Sequence, residues 1–369
     1  MRRADARGLP ARAPLKPVLF ITGHVPAYRV EGLRTLHERE QIEVAMFGGR
    51  SLHGGPAGPA ELPFPNVSLA PRELFGLAAA GRHRAVVLST AGRLAPLAGW
   101  AGARRGGQPV ILWASLWAHP RTPAQALGYP ALRRLYSSAD ALVTYGPHVS
   151  EYVRARGASN VHLAPQAVDN EFWRGPPSDG PLPPGWPVQA SMRFLFVGRD
   201  VPEKGLSVLR QAWREASAAR EDIALVLAGG AFDPAARTLS LGALGRERLR
   251  DVYAASEVLV VPSVATRTFR EPWGLVVNEA MNQRLAVIAS DAVGAAAGGL
   301  VRDGENGLIV PSGDPAALAG AIRSLAGAPQ LRGQMGVRAS EDVRAYTAEA
   351  WAQGFSEALA SLGLTRGRW

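Results

Sequence analysis

The sequence predicts an α/β protein of two doubly wound domains, each built on a parallel sheet. Its 369 residues, 47% of them apolar, exceed the roughly 250–300 residues at which single cores stop growing. Short apolar runs rich in β-branched residues alternate with longer segments of helical spacing, a pattern typical of parallel sheets covered on both faces. A segment dense in proline and glycine divides the runs into two series.

Eleven strands are predicted, each a continuous apolar run rather than an alternating one, which indicates burial on both faces. The first series is Val18–Thr22, Glu43–Gly48, Ala85–Ser89, Pro109–Ser115, Ala141–Tyr145 and Val161–Pro165. The second series is Arg193–Gly198, Ile223–Ala228, Val258–Pro262, Ala286–Ser290 and Gly307–Val310.

The domain boundary is predicted at the linker 175–190, GPPSDGPLPPGWPVQA, whose six prolines and three glycines cannot sustain a helix or a central strand. Residues 17–174 then form the first domain and 191–344 the second. Residues 345–369 continue with a helical pattern. Residues 1–16 contain arginine and proline but no apolar stretch, so we expect a disordered tail and no signal peptide.

The amino-acid composition excludes several classes of protein. The absence of cysteine excludes a disulfide scaffold, a thiolate metal site and a cysteine nucleophile. No apolar run reaches the roughly 18 residues of a membrane span, so we expect a cytoplasmic protein. Of the net charge of +10, residues 1–172 carry +9. This excess is either a solvated surface or a face for an anionic partner, such as a phosphorylated acceptor or an acidic membrane. We expect no nucleic acid, because no recognition motif accompanies the charge.

The first candidate motif is FVGRDVPEKGLSVLRQAW, residues 196–213. A predicted strand ends at Gly198, a polar loop carries Arg199 and Lys204, and a helix starts near Gly205. Ligands of open α/β sheets bind at the carboxyl ends of strands, and two cations beside free N–H groups suit a diphosphate. An ordinary solvated turn is the alternative. Lys204 is one of only two lysines among 41 basic residues, which favours a function.

The second candidate motif is EPWGLVVNEAM, residues 271–281. Glu271 and Glu279 are expected to bracket the start of a helix that begins near Trp273, with Glu279 two turns along it. Free backbone N–H groups would face the loop side. Carboxylates that accept hydrogen bonds from hydroxyls, beside N–H groups that meet phosphate, suit a polyol phosphate. Helix capping is the alternative.

With two further segments, these motifs resemble the retaining family-4 glycosyltransferases. The further segments are LGALGRERLRDVYAASEVLVVPS, residues 241–263, and NGLIVPSGDPAALAGAI, residues 306–322. The resemblance is specific over about residues 193–325 and weaker in the first half. It implies a GT-B architecture: two facing Rossmann-like domains, a nucleotide-sugar donor in the central cleft, an acceptor beside the first domain, and a terminal helix around Trp351 that crosses back onto that domain.

The resemblance implies a role for each charged residue of the two motifs. Arg199 and Lys204 would neutralise the donor diphosphate in place of a metal ion, so neither a metal nor a cofactor is expected. Glu271 would contact the sugar hydroxyls, and Glu279 the ribose hydroxyls. We expect Lys204→Ala to abolish transfer while leaving the fold intact.

The resemblance also implies donor contacts through the backbone. The N–H groups of Gly274 and Leu275 would meet phosphate. The nucleobase would lie near Gly229, Gly230 and Leu244. The reaction would retain the anomeric configuration by front-face attack with the donor phosphate as base, because no residue resembles an enzymatic nucleophile.

The first domain supplies the remaining candidates. His119 ends LWASLWAH, where many family members carry a histidine near the reacting sugar; a structural histidine is the alternative. Gly23 would border the donor, and His24, Tyr28 and Arg29 are predicted acceptor contacts. The usual double-glycine loop of the family is replaced here by TGHVPAYRVEG.

The acceptor stays open among a lipid or lipid-linked sugar, a polysaccharide precursor and a small molecule. A peripheral membrane contact is one option, through a basic amphipathic face. That face would comprise Arg82, Arg84, Arg104, Arg105, Leu94, Leu97 and Trp100. Alternative functions are a sugar-nucleotide epimerase of the same two-domain shape, a non-catalytic basic binding protein and an inactive paralogue.

Overall fold

A computed structural model describes residues 15–48, 61–90, 94–119, 121–233 and 236–365. Within these ranges, thirteen strands form two sheets of seven and six strands. The strands are β1 (Val18–Thr22), β2 (Ile42–Met46), β3 (Asn66–Ser68), β4 (Ala85–Ser89), β5 (Val110–Ala114), β6 (Ala141–Thr144), β7 (Val161–Leu163), β8 (Met192–Val197), β9 (Ile223–Ala228), β10 (Thr238–Ser240), β11 (Val258–Val261), β12 (Ala286–Ser290) and β13 (Gly307–Val310).

The same ranges contain thirteen α-helices and two short 3-10 helices, Pro202–Lys204 and Val343–Ala345. The α-helices are α1 (Ala27–Glu40), α2 (Glu73–Ala79), α3 (Ala95–Arg105), α4 (Pro123–Ser138), α5 (Pro147–Arg154), α6 (Asn170–Arg174), α7 (Leu206–Ser217), α8 (Arg246–Ala254), α9 (Val276–Asn282), α10 (Gly294–Ala297), α11 (Pro315–Gly327), α12 (Pro329–Asp342) and α13 (Ala348–Ser361).

Both sheets are parallel and doubly wound. The first sheet, which defines the first domain, has the strand order β3-β2-β1-β4-β5-β6-β7. The second sheet, which defines the second domain, has the order β10-β9-β8-β11-β12-β13. In such sheets the strand order reverses at a switch point, where a ligand crevice opens beyond the carboxyl ends of the strands. The predicted fold class is confirmed.

All eleven predicted strands are present, with ends within two residues of the predicted ones. Two strands were missed, β3 and β10. Each has three residues and lies at the edge of its sheet, and β3 is exposed throughout. An edge strand buries too little surface to need the apolar run by which the other strands are recognised.

The terminal helix α13 completes the core of the first domain. Trp351 and Phe355 are buried, and their rings lie 6.4 and 5.5 Å from that of Phe20 on β1. At Gly354, a Cβ atom would lie 2.2 Å from the carbonyl oxygen of Leu163 on β7. The helix therefore rests directly on the backbone of the first sheet.

The linker 175–190 lies on the second domain without a helix or strand of its own. The Ser178 N–H donates to Asp251 Oδ1 at 2.7 Å, and the Gly175 carbonyl accepts from Gln283 Nε2 at 2.9 Å. Trp186 is buried within it. These contacts fix an irregular segment that has few backbone hydrogen bonds.

The predicted tail lies, over residues 1–14, outside the described residues. Its last residue belongs to the fold, because Lys16 Nζ donates to the Gly81 carbonyl at 2.8 Å and the Lys16 carbonyl accepts from Arg84 Nη1 at 2.7 Å. Across the described ranges, no helix has the length and apolar character needed to cross a bilayer.

The predicted basic amphipathic face forms only in part, since Arg82, Leu94, Arg104 and Arg105 are exposed whereas its other members are not. Arg84 is buried and pairs with Glu40, with 2.7 Å between Nη2 and Oε2. Leu97 and Trp100 pack partly buried against the core beneath α3, and Arg104 pairs with Asp140 at 3.1 Å. Sequence spacing placed these residues together, but packing turns most of them inwards or pairs them.

We predict that Gly354→Ala lowers the free energy of unfolding by about 3 kcal/mol, because the added methyl group meets a carbonyl oxygen that cannot move without displacing β7. Urea titration at 25 °C measures this. The matched control is Gly320→Ala in α11, where a Cβ meets nothing within 4 Å; it should raise stability by about 0.5–1 kcal/mol. Equal stabilities for the two variants would contradict the close packing of α13.

Candidate active site

Loops at the carboxyl ends of β8 and β9 meet backbone to backbone. Gly229, directly after β9, has a φ of +105°, in the left-handed region that favours glycine. A Cβ atom there would lie 2.7 Å from the carbonyl oxygen of Gly198, directly after β8. Both its conformation and its surroundings therefore require glycine at 229. Gly230 follows, and a Cβ there would lie 3.2 Å from the ring of Phe232.

The Lys204 loop is held against the end of β11. Gly205 has a φ of +70°, and its Cβ would lie 1.9 Å from the carbonyl oxygen of Pro262. The side chain of Lys204 then reaches the second predicted motif, with Nζ 2.6 Å from Glu271 Oε2. Ser263 Oγ donates to the same oxygen at 3.3 Å.

The ion pair between Lys204 and Glu271 is well shielded, since their side chains are 18% and 5% exposed. The backbone of Glu271 is held as well. Its carbonyl accepts from the N–H of Gly294 at 3.0 Å, and the residue forms a parallel bridge with Val293. Across the described part of the chain, Glu271 Oε1 accepts no hydrogen bond, so one carboxylate oxygen stays open to a ligand.

Arg199 lies half-buried in the loop after β8. No described residue accepts a hydrogen bond from its guanidinium or pairs with it. A partly desolvated guanidinium favours an anionic partner, and its planar fork suits phosphate oxygens.

The helix after Glu271 begins later than predicted. Helix α9 starts at Val276 rather than near Trp273, so Glu279 lies in its first turn and not two turns along it. The delay has a physical cause: Gly274 has a φ of +90°, which helical backbone excludes. Among the described residues, no acceptor receives the N–H group of Gly274 or of Leu275.

Glu279 is joined to Tyr253 of α8, whose hydroxyl donates to Oε2 at 2.8 Å. Burial raises the pKa of Glu279 from an ordinary 4.5 to about 7, opposed by this hydrogen bond and by the charge of Arg246. Burial and the neighbouring carboxylate raise the pKa of Tyr253 well above its ordinary value. Leu244, in the loop before α8, is partly buried against the core that contains Tyr253.

The predicted acceptor contacts of the first domain separate into open and buried positions. Tyr28 is 43% exposed, and His24 and Gly23 are partly exposed beside β1. Arg29, expected to meet an acceptor, is instead 4% exposed. Its guanidinium lies over the rings of Trp113 and Trp351, at 5.2 and 4.8 Å, and donates to Gln166 Oε1.

The contacts shown for His119 are with its own domain. Its Nε2 lies 3.1 Å from the carbonyl oxygen of Gln125 in α4, and its ring lies 4.6 Å from that of Tyr129. The histidine that the sequence analysis selected after β5 thus packs on its own domain. Its predicted role near the reacting sugar stays a prediction.

Two residues of the first domain that sequence reasoning missed do reach the Glu271 segment. They are Trp117, after β5, and His148, at the start of α5 after β6. The Trp117 indole N–H donates to the Glu271 carbonyl at 3.1 Å, and His148 Nε2 lies 3.2 Å from the Pro272 carbonyl. Their position directly after carboxyl ends of strands is the signal that could have found them.

No group of three or more metal-ligating side chains occurs among the residues that the structure describes.

The fold is the GT-B fold of glycosyltransferases. HepE of Anabaena, solved in complex with UDP and glucose, superimposes with a TM-score of 0.71 over 94% of this chain and 100% of that chain, at 16% identity. Residues 191–327 match the family described as Glycosyl transferases group 1.

Two relatives with higher sequence identity identify the family of the chain. D-inositol 3-phosphate glycosyltransferase 2 of Catenulispora acidiphila is 30% identical over 307 residues, which cover 73% of this chain and 70% of that protein. D-inositol 3-phosphate glycosyltransferase of Xylanimonas cellulosilytica is 32% identical over 265 residues, or 62% of this chain and 60% of that protein. The chain belongs to the group 1 glycosyl transferase family, as the sequence motifs predict.

We predict that Glu279→Gln changes how stability depends on pH. Between the unfolded pKa near 4.5 and the folded pKa of about 7, the unfolded chain releases a proton that the folded chain retains, so wild-type stability falls as pH rises. Relative to the variant, the wild-type free energy of unfolding should fall by about 2.5 kcal/mol from pH 5 to pH 8. Urea titrations at both values measure this. Glu247→Gln, at an exposed position of α8, controls for the lost charge, and a pH-independent difference for Glu279→Gln would contradict the prediction.

Proposed function

We propose that the protein is a retaining glycosyltransferase that moves a hexose from a nucleoside-diphosphate sugar to an acceptor held against the first domain. The contact of Lys204 Nζ with Glu271 Oε2 at 2.6 Å carries this proposal. It joins the cation suited to a diphosphate to the carboxylate suited to sugar hydroxyls, a pairing that the scissile bond between sugar and phosphate would require.

The ion pair leaves capacity for the donor on both partners. A lysine ammonium has three N–H donors, and Lys204 gives one to Glu271. The remaining donors, with Arg199 and the N–H groups of Gly274 and Leu275, can meet phosphate oxygens. Glu271 Oε1 can accept from a sugar hydroxyl, and Glu279 from the ribose.

The chemistry follows from charge development. As the bond from the anomeric carbon to the diphosphate breaks, negative charge builds on the departing phosphate, and preorganised cations and N–H groups stabilise it in a water-poor site. The acceptor hydroxyl attacks from the same face and passes its proton to a departing phosphate oxygen. The glutamates bind hydroxyls here and do not act as the acid–base pair of hydrolases.

We propose an anionic acceptor. Residues 1–172 carry a net charge of +9, and the two relatives described above are named for D-inositol 3-phosphate, a polyol that carries a phosphate. A net positive charge raises the local concentration of such an acceptor, and the effect weakens as salt is added.

A donor screen tests the function. We predict that the wild-type enzyme releases nucleoside diphosphate from one class among UDP-, GDP- and dTDP-sugars, and that the matching diphosphate at about 100 times its Kd stabilises the fold by about 2.7 kcal/mol. Coupled detection of released diphosphate and thermal unfolding measure the two effects. Neither release nor stabilisation with any of the three classes would overturn the proposed function.

A double-mutant cycle tests the ion pair. We predict that Lys204→Met lowers transfer by about 10²–10³-fold, because a donor to the leaving group is lost. Contrary to the sequence expectation for this position, stability should fall too, by about 1–3 kcal/mol, because Glu271 is left buried without its partner.

In the same cycle, Lys204→Met with Glu271→Gln should recover most of that stability and none of the activity, since the buried charge is then gone but the diphosphate contact is not restored. Urea titration and initial rates report the two quantities separately. Near-normal turnover in Lys204→Met would remove this lysine from the mechanism.

A further inference from the structure

Two side chains of the first domain hold two consecutive carbonyl groups of the second. The Trp117 indole N–H reaches the carbonyl of Glu271, and His148 Nε2 reaches that of Pro272, at 3.1 and 3.2 Å. These two residues are called the carbonyl clamp below. The held carbonyls belong to the residue that carries the candidate carboxylate and to its neighbour.

The two rings of the clamp support each other. They meet edge to face, with centroids 5.0 Å apart and planes at 89°. Arg270 lies over the Trp117 ring, with its guanidinium carbon 5.0 Å from the centroid. This stacking covers the outer side of the indole with a residue of the second domain.

The His148 ring is fixed in one orientation. It is 8% exposed and lies 6.0 Å from the Trp273 ring. Gly298 lies against both rings, because a Cβ there would lie 3.0 Å from His148 Nδ1 and 2.7 Å from the Trp273 ring. Burial lowers the pKa of His148, opposed by its hydrogen bond to Pro272 and by the charge of Glu151. Because a carbonyl oxygen only accepts, Nε2 carries a proton and donates it to the Pro272 carbonyl.

Glu271 is thereby held from three directions. Trp117 and the N–H of Gly294 both donate to its carbonyl, one from each domain, and Lys204 holds its carboxylate. The backbone position of this residue thus depends on how the first domain sits against the second.

We propose that Trp117 and His148 are positioning residues, which set the place of the Glu271 carboxylate when the two domains meet. The inference rests on the proposed function, in which that carboxylate binds the transferred sugar. An acceptor on the first domain and a donor sugar on the second react only at a defined separation. A displacement of about 1 Å can cost about 10²-fold in rate. Through the clamp, the position of the Glu271 carboxylate is coupled to the separation of the two domains.

The test compares Trp117→Phe and His148→Phe with two matched variants. His148→Gln keeps an N–H donor near the position of Nε2. Trp213→Phe removes an indole N–H that donates to a carbonyl within the second domain, that of Ala236 at 3.4 Å. It therefore controls for the loss of a tryptophan hydrogen bond without touching the clamp.

For each variant we measure kcat, the donor KM, the affinity for UDP or the diphosphate that the donor screen identifies, and amide hydrogen exchange over residues 264–275. We expect kcat to fall by about tenfold or more in Trp117→Phe and His148→Phe, with diphosphate affinity within about twofold of wild type, because the diphosphate meets only second-domain groups. His148→Gln should recover at least about a third of kcat. Exchange over 264–275 should quicken in the two phenylalanine variants alone.

A purely structural role predicts a different result. If Trp117→Phe and His148→Phe keep wild-type kcat, or lose only as much as Trp213→Phe does, the clamp does not position Glu271. Equal losses of diphosphate affinity and kcat would also overturn the proposal. If wild-type protein turns over no nucleotide sugar, the proposed function fails, and hydrogen exchange alone then decides whether the clamp holds the segment: unchanged exchange in both phenylalanine variants overturns it.

Discussion

The ion pair between Lys204 and Glu271 organises the second domain at its functional edge. It joins side chains 67 positions apart, one in the loop after β8 and one in the loop after β11. The pair forms where Gly205 approaches the end of β11 closely, and the Ser263 hydroxyl donates to the same carboxylate oxygen as Lys204. A buried ion pair stabilises only when its geometry and hydrogen bonds are good. Here both are supplied by loops whose positions the parallel sheet determines.

Around this pair, folding leaves several polar groups without protein partners. The guanidinium of Arg199 and the N–H groups of Gly274 and Leu275 have none among the described residues. Glu279 is held in a setting that disfavours its charge. Each arrangement costs folding stability, and natural proteins retain such costs mainly at functional sites. Under the proposed function, these groups would bind an anionic ligand rich in hydroxyls, and binding would offset their cost.

The sheets were predictable because parallel strands buried on both faces need continuous apolar runs, as in VLFIT of β1 and IALVLA of β9. The start of α9 was not, because the left-handed conformation of Gly274 interrupts a segment with good helical spacing. The burial of Arg29 depends on Trp351, more than three hundred residues later in the chain. The partners of Trp117 and His148 are carbonyl groups of another domain, and backbone atoms leave no trace in residue periodicity. Strands and local motifs can thus be predicted from the sequence, whereas contacts between domains depend on tertiary packing.

The position of α13 affects how the first domain can fold during translation. Domains generally fold as units during synthesis, with the N-terminal one first. Here Trp351 and Phe355 belong to the core around Phe20, so the domain that leaves the ribosome first lacks two of its largest core side chains until α13 emerges. The second domain is contiguous in sequence, so its core does not depend on a helix that is synthesised much later. The core of the first domain can therefore be completed only after β8–β13, which lie between β7 and α13 in the chain, have been synthesised.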